Sequence, residues 1–273
     1  MYKATAAEVS KLRTATGAGM MDSKKALEEA EGDFEKAIEI LRKKGQKVAA
    51  NRADRESTEG AVIAKVNADN TQGVIVSLNC ETDFVGKNED FIALAHKFAD
   101  MAFDYADKES FLNADFGGIT VAEKLTEQTG VIGEKIEIGT FQKIEGAFVN
   151  SYIHAGNKIG AVVALSAKVD GAEEGAREVA MQVAAMNPVA LNENEVSADI
   201  VEKELEIAKD VLRQEGKAEN MIENIAKGKL QKFFKENTLV HQPFIKEAKL
   251  TVAEHLKSIS PELEVVGFIR YGI

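Results

Sequence analysis

Apolar positions keep a helical period through the first 45 residues, change to strand-like runs near residue 61, and return to the helical period in later segments. Thr5-Ala6-Ala7-Glu8 has the form of a capping box, and Val9, Leu12 and Thr16 continue one face until Gly17 stops the helix. A second helix is predicted from about Asp22 to Ala30, ending at Gly32. Asp33 then caps a third, with Phe34, Ala37, Ile38 and Leu41 on one stripe and a stop at Gly45. These signals predict a three-helix bundle over residues 1–46. From 47 to 60 the period gives way to Ala, Arg, Asp, Glu, Ser and Thr, the composition of a linker, which predicts a mobile bundle.

Ala61-Val62-Ile63-Ala64-Lys65-Val66, a polar turn from Ala68 to Gln72 and the run Gly73 to Leu78 read as a hairpin. A helix from about Asn88 to Ala106 follows, with Phe91, Ile92, Ala95, Phe98, Ala99 and Ala102 at helical spacing. After a polar stretch and a further helix, Lys135 to Ile138 offers a third strand. The order then recurs: Phe148 to Ile153, a turn at Ala155-Gly156-Asn157-Lys158, Ile159 to Leu165, and a helix from about Glu173 to Met186. Glu264 to Arg270 supplies a closing strand. The expected fold is therefore α+β, with two core subdomains at 61–140 and 141–273, each packing helices on a small antiparallel sheet. Within the second, Ile200 or Val201, Leu205, Ala208 and Leu212 form one apolar stripe. Gly216 breaks it, and Met221, Ile222, Ile225, Leu230 and Phe233 resume it with a mismatch at Gly228. This predicts an antiparallel helical hairpin at about 198–235.

Charge narrows the classes of partner. The 273 residues carry a net charge of −11, which argues against phosphate backbone as the main ligand. Residues 1–54 are nevertheless +2, with 11 Lys and Arg against 9 Asp and Glu, so the chain holds differently charged regions. A single Cys excludes an intramolecular disulfide framework, and four scattered His residues leave little for a metal site. No run approaches the ~18 apolar residues of a membrane span. Met1 to Ala15 is too polar for a signal peptide's hydrophobic region, and the cytoplasm is the expected address.

Two short segments stand out. In Cys80-Glu81-Thr82-Asp83-Phe84-Val85 a large ring sits among polar residues where a strand ends. Phe84 either folds under the loop as satellite core or serves as an interface anchor. Thr16-Gly17-Ala18-Gly19-Met20-Met21-Asp22 joins the first two helices. It is not a phosphate cradle, which needs a preceding buried strand and usually a Lys-Ser or Lys-Thr pair. Met20 and Met21 divide between bundle core and an exposed surface, with one expected in the core. Cys80 with His96 or His154, and Glu81 with Asp83, can be imagined as catalytic pairs, but neither has a supporting motif. No catalytic residue, cofactor or metal is expected.

Thr82-Asp83-Phe84-Val85, followed by Lys87-Asn88 and Phe91, closely resembles the signature of bacterial elongation factor Ts, which exchanges nucleotide on elongation factor Tu. The resemblance covers the whole chain, Gln242-Pro243-Phe244 included; Gly86 departs from the Ala often found there, a change expected to loosen the loop slightly. It implies that the first bundle is of the ubiquitin-associated type, with Leu12, Arg13, Gly19, Met20 and Met21 at the contact with the partner's nucleotide-binding domain. It implies further that Thr82, Asp83, Phe84 and Val85 form the main contact, and that the turn bearing His154 lies on the partner-facing side. The helical hairpin would grip the partner or serve in self-association as a homodimer. Elongation factor Tu, in its GDP-bound and nucleotide-free forms, is the implied partner, with no direct nucleic acid or membrane. Two other classes stay open: a helical module that binds nascent chains or a protein tag through the Met pair, and an enzyme based on Cys80.

Overall fold

The computed structural model describes residues 2–154 and 156–273 and separates into two units. The first comprises residues up to Ile63, Val76–Phe141 and Ile273; the second comprises Ala64–Ile75 and Gln142–Gly272. The fold is α+β. Ala155, at the start of the turn expected after the fourth strand, lies outside the described residues.

The first unit opens with α1 (Ala6–Thr16), α2 (Met20–Glu29) and α3 (Phe34–Asn51). Thr5 and Glu8 form the expected capping box, Asp33 caps α3, and Gly17 ends α1 in the left-handed conformation at φ 72°. Val9, Leu12, Ala26, Leu27, Ala30 and Ala37 form the buried centre of this bundle. One expectation fails: Gly45 does not stop α3, which runs on to Asn51. A glycine ends a helix by adopting a left-handed conformation, and Gly45 instead lies buried against α7 (Val121–Ile132) with its helical backbone intact. Residues 47–51, which read as linker, are the last turns of that helix.

The strands β1 (Glu59–Val66), β2 (Gln72–Cys80) and β3 (Glu137–Glu145) pair in the order β1-β2-β3. β2 is buried from Gly73 to Cys80 as a strand covered on both faces, with its two polar members hydrogen bonded: Ser77 Oγ accepts from the Thr140 N–H and the Asn79 amide donates to the Ser57 carbonyl. Between β2 and β3 come α4 (Asp83–Gly86), α5 (Glu89–Met101), α6 (Lys108–Leu112) and α7. Phe98 of α5 meets Phe111 of α6 edge-on, with ring centroids 6.0 Å apart, and Phe116 at 5.3 Å. Phe98 and Phe111 are fully buried, and each contributes about 1.5–3 kcal/mol relative to exposure.

In the second unit β4 (Phe148–His154), β5 (Ile159–Leu165) and β8 (Val265–Gly272) form an antiparallel sheet in the order β4-β5-β8. In both sheets the closing strand lies beside the second strand of the preceding hairpin, so the weak internal repeat extends to topology. α8 (Ala172–Met186) packs its Ala176, Val179, Ala180 and Val183 onto this sheet. α9 (Ala198–Gln214) and α10 (Glu219–Asn237) form the helical hairpin, turned at Gly216. Its seam is Ala208 and Leu212 against Ile222 and Ala226; Met221, read as part of the stripe, is 53% exposed. Beyond it lie β6 (Pro243–Phe244), β7 (Glu247–Thr251) and α11 (Val252–Ile259). The Gln242-Pro243-Phe244 motif is explained by buried Gln182 of α8. Its side-chain amide donates to Gln242 Oε1 and to the Pro243 carbonyl, and its Oε1 accepts from the Ile245 N–H. No helix among the described residues is long and apolar enough to cross a membrane.

The start of α1 yields a pH prediction. Glu8 accepts from the Tyr2 hydroxyl at 2.5 Å, from the Thr5 hydroxyl at 2.7 Å and from the Thr5 N–H at 2.8 Å. Tyr2 first, and then Thr5, lower the Glu8 pKa from 4.5 to about 2. Because the folded value is the lower one, the contribution is full above pH 4.5 and is lost as pH falls toward about 2. Glu8→Gln keeps the hydrogen-bonding shape without the charge. Hydrogen exchange of the α1 amides should be slower in the unaltered chain than in Glu8→Gln above pH 4.5, with the difference closing toward pH 2.

Candidate partner-binding site

The site grows from the end of β2. Cys80 is fully buried and its thiol donates to the Thr82 carbonyl, 3.1 Å away, so the chain leaves the sheet along a fixed path. The next two residues are fastened by one carboxylate. Glu134, just past α7, accepts from the Glu81 N–H (3.1 Å), the Thr82 N–H (3.0 Å) and the Thr82 hydroxyl (2.6 Å). Glu81 points the other way, with both its oxygens 2.8 Å from Arg52 Nη1 at the end of α3 and one accepting from the Lys135 N–H at 2.7 Å. The Lys135 N–H, followed by Arg52, holds the Glu81 carboxyl below its ordinary range against the opposing effect of burial. Glu81 and Cys80 thus both hold the loop.

Thr82 precedes α4, a single turn that carries Asp83, Phe84 and Val85. Its hydroxyl is engaged by Glu134 and makes no cap bond. The turn closes through Gly86 N–H to the Thr82 carbonyl (3.2 Å) and Lys87 N–H to the Asp83 carbonyl (3.0 Å). Lys87 Nζ also meets Asp83 Oδ2 at 2.6 Å, which raises the Lys87 pKa. Asn88 then caps α5 through the N–H groups of Asp90 and Phe91. Gly86 is buried against β1, where an added Cβ would stand 3.1 Å from three backbone atoms of Gly60. The loop is therefore tight at Gly86, contrary to the loosening expected there. On this fastened backbone the Phe84 ring is 84% exposed. Of the two readings of Phe84, satellite core is excluded.

The second segment joins α1 to α2. Gly17 turns the chain, the Thr16 hydroxyl donates back to the Leu12 carbonyl at 2.7 Å, and buried Ala18 leads into Gly19, which precedes α2. Met20 and Met21 begin α2 with 61% and 63% of their surface exposed, so neither is core. With Arg13, Val9, Ser10 and Lys24 they border one shallow groove. Leu12 is different: it is fully buried and holds the bundle together rather than facing outward.

A larger groove of roughly 710 Å³ brings the two segments together. Thr14 to Gly17 line it on one side, Phe84 and Val85 on another, with Lys97 of α5 and Lys124, Gln128 and Val131 of α7 between. His154 belongs to the other unit. It is exposed at the end of β4, where its Nδ1 lies 2.9 Å from the Tyr152 hydroxyl. Among the described residues no group of three or more His, Cys, Asp or Glu side chains is arranged to hold a metal ion. Glu134 and Arg52 were missed by sequence reasoning. Each acts on a partner 29 to 53 residues away, and no local pattern marks either.

Comparison with known proteins fits these features. A family profile described as Elongation factor TS matches residues 81–273. The chain is 66% identical over all of its 273 residues to the elongation factor Ts of Christiangramia forsetii, and 67% identical to that of Flavobacterium psychrophilum, each covered in full. It is 48% identical to the elongation factor Ts of Porphyromonas gingivalis, with 98% of both chains aligned. With identity of this order along the whole chain, and Phe84 of the Thr82–Val85 signature exposed on a fastened turn, the protein belongs to the elongation factor Ts family.

Proposed function

We propose that this chain binds elongation factor Tu and promotes release of its GDP, with Phe84 as an aromatic wedge that disturbs the partner's magnesium and phosphate site. Membership of the family supports the coarser statement, a nucleotide exchange role in translation elongation. The observation that carries the finer one is an 84% exposed Phe84 on a backbone held by Glu134, Arg52 and its own one-turn helix. An aromatic ring left in water forgoes about 1.5–3 kcal/mol of burial free energy, which becomes available in a partner's pocket.

Exchange is a coupling between two ligands of one protein. A factor that binds nucleotide-free partner more tightly than the GDP form weakens GDP binding by the same ratio, and nucleotide in turn weakens the factor. Binding without that difference would shift nothing. Accelerating release by ~10⁴-fold lowers the barrier by about 5.5 kcal/mol, more than one ring supplies. The remainder is assigned to the bundle, where Arg13, Gly19, Met20 and Met21 give a second contact with the nucleotide-binding domain. Met side chains suit this because their flexible thioethers adapt to an irregular surface. Thr82, Asp83 and Val85 flank the wedge. The surface bearing His154 and the α9–α10 hairpin would grip a different part of the partner. No covalent chemistry is needed, and the chain acts as an exchange factor without a catalytic residue or cofactor of its own.

Release of fluorescent GDP from purified elongation factor Tu tests this reading. Phe84→Ala should slow saturated exchange roughly 10–100-fold, the equivalent of the lost ring, while weakening binding much less. Met20→Ala and Met21→Ala should have smaller effects. Equal losses of rate and affinity for Phe84→Ala would contradict the wedge. Glu134→Ala removes the acceptor shared by three donors and frees the loop without touching Phe84. It should lower the saturated rate by on the order of tenfold, and an unchanged rate would show that rigidity of the loop is irrelevant.

A further inference from the structure

Two glycines meet where α3 crosses α7. A Cβ on Gly130 would stand 2.5 Å from Gly45 Cα and 3.2 Å from Gly45 N; one on Gly45 would stand 3.2 Å from the Thr126 carbonyl oxygen. Neither residue has a positive φ, so both are ordinary helical residues kept bare by the opposing backbone. Glycine inside a helix costs roughly 1 kcal/mol relative to alanine. Two glycines at one crossing are therefore unfavourable to both helices taken singly, and close approach is what they permit. The crossing lies next to the site. Gly130 lies in the last turn of α7, and Glu134, two residues past its end, fastens the Phe84 loop. Gly45 and Arg52 are two turns apart on α3, and Arg52 pairs with Glu81 of the same loop. The two helices that cross here thus both end at the Phe84 loop.

Resting on the exchange reading above, we infer that Gly130, with Gly45, is a positioning residue. The crossing sets the separation between the Met20–Met21 segment and Phe84 so that one partner domain meets both at once. Two linked contacts reinforce each other most when their spacing is held at the one the partner requires, so an undocked bundle costs affinity more than it costs the wedge step. The two glycines differ in a testable way. Gly130→Ala drives a methyl into Gly45 Cα, whereas Gly45→Ala meets one carbonyl at a distance that a small shift relieves.

The test uses the full chain. Spin labels at Glu35→Cys and Lys108→Cys report the distance from bundle to core, and Cys80 stays in place because it is buried. The unaltered chain and Gly45→Ala should give one narrow distance, Gly130→Ala a broader one and Gly130→Leu the broadest. Ala and Leu are better helix formers than Gly, so a simple effect on helix stability would run the other way. In GDP release, Gly130→Leu should raise the half-saturating concentration by on the order of tenfold and lower the saturated rate by a smaller factor, the part of the release step that the bundle supplies. Gly130→Ala, which favours the helix, takes its place should Gly130→Leu fail to fold. An unchanged narrow distance in the Gly130 variants, or a broadened one with unchanged half-saturation, would overturn the positioning role. Failure of the unaltered chain to release GDP would instead sink the exchange reading, and the distance series separates the two failures.

Discussion

The carboxylate of Glu134 holds three donors from two consecutive residues, and the exposed ring depends on that arrangement. A strand that ends at a buried cysteine has to turn its backbone out of the sheet, and the freed N–H groups need an acceptor. One charged acceptor from a neighbouring helix end satisfies both amides and a hydroxyl together. Hydrogen bonds to a charged group are stronger than neutral ones, and three to one carboxylate fix its orientation as well. The consequence is a short turn with little freedom of its own, in which an apolar side chain faces water without collapsing onto the surface beneath.

The same logic recurs around the turn. Arg52 brings the end of α3 to Glu81, and the bare backbones of Gly45 and Gly130 bring α3 onto α7. A helix that reads as part of a separate bundle is thereby fastened to the loop it would otherwise only approach. The positive balance of residues 1–54 and the negative balance of the remainder favour such contacts at long range. The fastening itself comes from short, geometrically demanding pairs.

Local signals were the most legible part of the sequence. The capping box at Thr5–Glu8, the cap at Asp33, the stop at Gly17 and the strand Ile159–Leu165 are where pattern and propensity put them, because each is settled by neighbours within a few residues. Phe84 is outside the core, as one of its two readings required. Long-range packing was illegible. Gly45 carries the sequence mark of a helix stop, and only the presence of Gly130 some 85 residues later explains why the helix continues. The role of Glu134 is hidden for the same reason, since a carboxylate after a helix-ending glycine is ordinarily solvated. Met20 and Met21 were divided between core and surface, yet Leu12, Ala26 and Leu27 already fill the bundle centre and both thioethers stay outside.

The α9–α10 hairpin contains two apolar clusters rather than one. Ala208, Leu212, Ile222 and Ala226 form the seam nearer its turn, while Val196, Ala190 and Phe234 close its root with Ile200, Val201, Leu230 and Phe233. Separate clusters give separate local stabilities, so the turn end can open and reclose while the root stays shut. Whole helical turns could then be inserted or removed between the clusters without disturbing the sheet, which makes the length of this hairpin a quantity that evolution can vary independently of the rest of the molecule.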